Sequence, residues 1–152
     1  MVVKTVVHFE IPATDVERLS KFYSDVFGWK FEKMPMGQMS YWMITTGPQN
    51  KSVNGGMMQR MSPQETPRNY INVEEIDSAI ASFVAAGGRE AVGKQEVPGF
   101  GWSYIGIDPE GNMVGLFQGT APPPSPRPKR AKPKKRAAKK KTAKAKRRRA
   151  RR

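Results

Sequence analysis

The sequence predicts an α+β chain: two βαβββ modules in tandem, followed by a disordered basic tail. Three observations carry that expectation. The stretch from Val6 to Trp29, VVHFEIPATDVERLSKFYSDVFGW, reads as strand, helix, strand. The same order returns after Pro63 and Pro67. Charge then divides the chain. From Arg127 to Arg152 there are seventeen Lys and Arg and no acid, while the remainder sets ten basic residues against all thirteen acidic ones, a net of −3. Two domains are expected: 1–118, long enough to bury a normal core, and 119–152, where nearly every residue is charged, small or proline.

The elements follow in order. Val2 to Ile11 is the first expected strand, and His8 and Glu10, two apart, leave it on one face. Thr14-Asp15-Val16-Glu17 has the spacing of a capping box. A helix is expected from Asp15 to Phe27, with Val16, Leu19, Phe22, Tyr23 and Val26 recurring on one side. Gly28 ends it, since glycine accepts the left-handed turn past a helix end. Trp29 to Lys33 reads as a strand and Met34 to Gly37 as a loop. Ser40 to Thr46 is a strand with Tyr41, Met43 and Thr45 on one face and Trp42 and Ile44 on the other. Val53 to Gln59 closes the first module, and Arg60 to Pro67 is a linker. The second module then runs as a strand (Asn69 to Val73), a helix (Glu75 to Ala86, closed by Gly87-Gly88) and strands at Ala91 to Val97, Trp102 to Ile107 and Met113 to Gln118. His8 precedes Asp15 by seven residues and Arg68 precedes Glu75 by the same seven. A repeat of this kind predicts two similar sheets side by side around a shared cleft.

Composition excludes some classes of function. With no cysteine there is neither disulfide nor thiolate chemistry. No apolar run approaches the roughly 20 residues of a membrane span, and MVVKTVVHFEI turns polar too soon for a secretory signal. A cytoplasmic protein is the expectation, and the basic tail leaves nucleoid association open.

FEIPATDVERLSKFYSDVFGW, AGGREAV and IDPEGNMVGLFQ together resemble the vicinal oxygen chelate superfamily, which includes the glyoxalases, bleomycin-resistance proteins and extradiol dioxygenases. The resemblance covers Val3 to Gln118. It implies paired βαβββ modules whose curled sheets form a cupped mixed sheet, often completed by dimerisation. It also implies a divalent metal held by His and Glu from corresponding strands. By that correspondence His8 stands at the first module's histidine and Arg68 at the second's. Gly115 stands where metal-binding members carry a Glu, and the fourth position falls at Met57 to Gln59. A catalytic divalent site needs about three imidazole, carboxylate or thiolate ligands, and this chain has one His and no Cys. No metal and no other cofactor is expected.

His8 has two readings: a strand histidine bonded to a neighbour, or, with Glu10 and Tyr70, the floor of a ligand cup. An imidazole beside a carboxylate makes His8 and Glu10 the candidates for acid–base catalysis. The ligand-binding candidates are His8, Glu10, Trp42, Met58, Tyr70, Trp102 and Phe117, an apolar set with few polar groups that suits a small flat or aliphatic molecule. Which strand face each takes stays open.

In the tail, GTAPPPSPRPK reads as an extended spacer. The remainder resembles a linker-histone tail in composition. Lys139, Lys140, Lys141, Arg147, Arg148, Arg149, Arg151 and Arg152 form its densest clusters. Without aromatic residues, nucleic-acid binding by such a segment is sequence-blind, and eight phosphate contacts would give a log–log salt slope of about −7. A polyphosphate, an anionic membrane surface or simple solubilisation are the alternatives, and the clusters would also read as nuclear import in a eukaryote. The expected function is metal-independent small-molecule binding, by a homodimer, with a non-specific nucleic-acid tail. The competing expectations are a glyoxalase-like lyase or isomerase, a dioxygenase-type metalloenzyme, and a dimerisation scaffold for the tail.

Overall fold

A computed structural model describes residues 3–36, 39–49 and 51–120 of the chain. The tail beyond residue 120, with all eight nucleic-acid candidates, lies outside the described residues. The body runs β1 (Val6–Ala13), α1 (Val16–Phe27), β2 (Lys30–Met36), β3 (Met39–Thr45), β4 (Gly55–Gln59), β5 (Arg68–Asn72), α2 (Ile76–Ala85), β6 (Arg89–Val97), β7 (Gly101–Ile107) and β8 (Met113–Gly119). Both βαβββ modules are therefore present. Their strands form one eight-stranded mixed sheet in the order β2-β3-β4-β1-β5-β8-β7-β6, so that the two expected sheets stand side by side as its halves. Each module pairs its first and last strands in parallel, β1 with β4 and β5 with β8. The modules then join edge to edge through antiparallel β1 and β5. That seam removes two free edges, which would otherwise present unpaired amides and carbonyls.

Both helices lie on one face of the sheet. Phe9, Ile11 and Ala13 alternate toward α1 and pack with Val16, Ile44 and Met57, while Tyr23 and Trp29 stack with ring centroids 4.9 Å apart. In the second module Val73, Ile76, Tyr104 and Leu116 form the equivalent cluster with Phe83. The cap of α1 falls one residue later than the expected Thr14: Asp15 accepts the Arg18 N–H at 2.9 Å. Gly28, at φ 71°, closes the helix as its sequence position foretold. The expected apolar stripe is only partly buried. Val16, Leu19 and Tyr23 face the sheet, whereas Phe22 and Val26 are 53% and 55% exposed. Helix α2 is capped by Glu75, whose carboxylate accepts the Asp77 and Ser78 amides. The Ser78 hydroxyl, which donates to the same carboxylate at 2.6 Å, together with those amides holds the Glu75 carboxyl down at a pKa of about 2.

The linker folds back on the first module. The Arg60 amide bonds the Ala13 carbonyl at 2.9 Å, its Nη2 bonds the Pro12 carbonyl at 3.0 Å, and its Nη1 donates to the Glu65 carbonyl. The Glu65 carboxylate in turn accepts the Met61 amide at 2.8 Å. No helix among the described residues is long and apolar enough to cross a membrane.

Candidate functional site

The face opposite the helices carries the polar chemistry. Strand alternation sends His8 and Glu10 there from β1, and the β1–β5 register sets His8 against Tyr70 and Glu10 against Arg68. The Arg68 Nε donates to Glu10 Oε2 at 2.7 Å, and the Tyr70 hydroxyl donates to the same oxygen at 2.8 Å. Tyr41, arriving from β3, donates to Glu10 Oε1 at 3.3 Å and lies 2.7 Å from His8 Nε2. The second nitrogen of the Arg68 fork, Nη2, reaches the Met58 sulfur at 3.3 Å, and Nη1 lies 3.7 Å from Glu65 Oε1. Glu10 is 9% exposed and Arg68 8%, so this is a buried ion pair with its lone pairs and protons largely committed.

Two glycines make room for it. A Cβ on Gly56 would stand 1.8 Å from the Tyr41 hydroxyl oxygen, and one on Gly115 would stand 2.2 Å from the Tyr70 ring. Gly115 is thus more than a missing carboxylate, because its bareness is the socket in which Tyr70 lies.

Burial sets the electrostatics. It lowers the His8 pKa below the usual imidazole value, against the opposing pull of Glu10 and of a bond to the Asn54 backbone. Burial also raises Tyr41 and Tyr70, and the Glu10 charge adds to the rise in both. For Arg68 burial pulls downward, but Tyr70 and Glu10 outweigh it and the guanidinium stays charged. The His8 tautomer sets the direction of the chain. With a proton on Nε2, His8 donates to Tyr41 and Tyr41 to Glu10; with Nε2 bare, the Tyr41 hydroxyl turns to His8.

The donors do not suit the divalent ion that the resemblance implies. Glu10 is engaged through both oxygens, a guanidinium stands beside it, and His8 Nε2 is held by a phenol. Among the described residues no group of three or more His, Cys, Asp or Glu could hold a metal.

Of the residues expected to bind a ligand, the structure brings His8, Glu10, Tyr70 and Met58 together. Phe117 shares their face, two residues along β8 from Gly115. Trp42 and Trp102 do not belong with them. Trp42 packs on the α1 side with Ile44 and Met57, and Trp102 shares the face of Tyr104, under the Lys94 ammonium at 4.7 Å. Alternation decides both, since each lies an even number of residues from a core position on its own strand. Tyr41, Arg68 and Glu65 are the members not proposed as ligand-binding from the sequence. Only the seven-residue repeat, which sets Arg68 at the place of His8, hinted at one of them.

Two open depressions on the surface, about 370 Å³ beside Val6, Val7 and Val53 and about 310 Å³ beside Lys30, Thr45 and Pro48, are lined by none of the network's residues.

Residues 5–47 match the family described as Bleomycin resistance protein-like N-terminal. The chain is similar to a glyoxylase-like domain-containing protein of Didymella fabae, 38% identical over 85 residues, which are 53% of this chain and 66% of that protein. Relatives from Mycobacterium bovis and Mycobacterium tuberculosis are 27% identical over 114 residues, 72% of this chain, and the chain spans only 43% of their length. Among solved structures, methylmalonyl-CoA epimerase from Mycobacterium tuberculosis aligns over 80% of this chain and 94% of its own, with TM-score 0.57 and 13% identity. At that identity the likeness is one of fold alone.

Proposed function

We propose that this chain, whose likenesses support the glyoxalase and bleomycin-resistance superfamily, is a metal-independent binding module for a small organic molecule, tethered to nucleic acid by its tail. The observation that carries the first half is the Arg68–Glu10 ion pair, 2.7 Å long, at the place where a metal-binding member would present ligands. Above it the open face offers half-buried His8 and Tyr41 beside the apolar Met43, Met58 and Phe117. That mixture suits a flat or aliphatic molecule with one polar edge, and thioethers adapt to its shape. A second copy of the chain is the natural cover for this face.

The test joins metal analysis of the untreated protein to mass spectrometry of co-purifying small molecules. The expected result is a bound organic molecule, no stoichiometric transition metal, and retention unaffected by chelator. Stoichiometric Zn, Ni, Fe or Mn lost on His8→Ala would overturn the reading. For the tail, deleting 121–152 should abolish DNA binding whose affinity falls steeply with salt; unchanged binding would place the contact elsewhere.

One feature favours a catalytic reading instead. The His8–Tyr41–Glu10 chain can pass a proton between an imidazole and a carboxylate, as a lyase or isomerase would need. That reading requires turnover of a carbonyl or thiol-adduct substrate that is lost on His8→Ala. A floor closed by its own side chains favours the scaffold reading, in which no ligand is found and deletion of the body costs the tail only its avidity.

A further inference from the structure

The groups around Arg68 are disposed as they would be around an ion. Its guanidinium is buried, with Glu10 Oε2 at 2.7 Å, the Met58 sulfur at 3.3 Å and Glu65 Oε1 at 3.7 Å. The Tyr70 hydroxyl, 2.8 Å from the same Glu10 oxygen, completes the shell. These groups come from four separate pieces of chain: β1, β4, the linker and β5. Arg60 ties the Glu65 backbone to β1, but among the described residues only the Arg68 guanidinium stands between the Glu10 and Glu65 carboxylates, which repel in a poorly hydrated site. Arg60, the other cation nearby, spends its N–H groups on the Pro12 and Glu65 carbonyls rather than on either carboxylate.

We propose that Arg68 is the site's built-in cation: a positioning residue of the second module whose planar charge gathers Glu10 and Met58 from the first module and Glu65 from the linker, so that removing its side chain leaves a cavity selective for a free guanidinium ion. The role does not depend on whether the cup takes a ligand. It assigns the organising work of an ion to a covalently held group. Planarity matters because the contacts diverge from separate nitrogens of the fork, a geometry an ammonium does not reproduce.

The test uses the full chain carrying Arg68→Gly. The melting temperature should fall by roughly 10–20 °C, the size expected for an orphaned buried carboxylate in a body of this length. Methylguanidinium at millimolar concentration should restore part of that loss saturably, and methylammonium at equal ionic strength should restore clearly less. The chain's single histidine gives an unambiguous NMR reporter. In the variant the His8 pKa should rise, because Glu10 loses its counter-charge, and should return when methylguanidinium is added. A role in packing alone would not move that titration with a soluble cation. If the variant does not fold unaided, refolding in the presence of each cation reads the same selectivity. Equal rescue by the two cations, or rescue by neither, would overturn the proposal.

Discussion

The two modules share one backbone plan and divide the site's chemistry between them. The first supplies the carboxylate, Glu10, with His8 and Tyr41 beside it, and the second supplies Arg68 and Tyr70, which donate to it. Equivalent positions cross over at the seam, where His8 meets Tyr70 and Glu10 meets Arg68. An antiparallel junction of two like strands brings about that crossing, since each position faces the counterpart of its partner. Repetition therefore fixed where the side chains stand. Two copies of the first module would have set a histidine against each glutamate, and the second module sets Arg68 against Glu10 instead.

Variants can break this division. Arg68→Ala should have the largest effect, about 3–5 kcal/mol by denaturant titration, because it leaves Glu10 buried without its partner. Glu10→Gln combined with Arg68→Met should cost less than Arg68→Ala alone, and a double variant worse than the single would refute the shared-pair account. Next, Gly115→Ala should cost about 1–3 kcal/mol through its clash with the Tyr70 ring. Combining it with Tyr70→Ala should relieve most of that, a coupling visible in a double-variant cycle. The helix caps come third. Asp15→Ala should lower stability by about 1 kcal/mol, read from the thermal melt, and should leave the His8 titration unchanged.

The smallest effects are in pH, and they separate the modules. His8 in the first has a folded pKa below its ordinary 6.5, so the unfolded chain takes up the proton first. Its stability contribution is complete above pH 6.5 and declines as pH falls below that value. Glu75 in the second has a folded pKa of about 2 against an ordinary 4.5. Its contribution holds above 4.5 and is lost between there and about 2. Denaturant titrations across pH should show two steps, with His8→Gln removing the upper one and Glu75→Gln the lower.

The order of elements was legible in the sequence because alternation, the helical repeat and Gly28 are local signals. The α1 cap slipped by a residue because Thr14 and Asp15 are both good caps, and the carboxylate of Asp15 was better placed for the Arg18 amide. The seam along which the two halves join was not legible, since nothing local marks an edge-to-edge pairing of β1 with β5. The face taken by Trp42 depended on packing in the α1 cluster and that of Trp102 on the alternation of β7 about Tyr104, and aromatic bulk alone suggested the cup as readily as the core. Glu10 and Arg68 are 58 residues apart, so only the seam's register could reveal their pairing. Arg68 was legible as a departure from a ligand position, and what it does there required the fold.

The folded-back linker has a consequence for how copies of this chain keep to themselves. Two like halves that meet along strand edges invite a trade, in which the second half of one molecule docks on the first half of another. For that to happen the segment after β4 has to straighten. Straightening pulls the Arg60 guanidinium off the Pro12 carbonyl and frees the Glu65 carboxylate from the Met61 amide before any new contact forms. The clasp thus works as a latch on the hinge, holding each nascent second half close to its own first half.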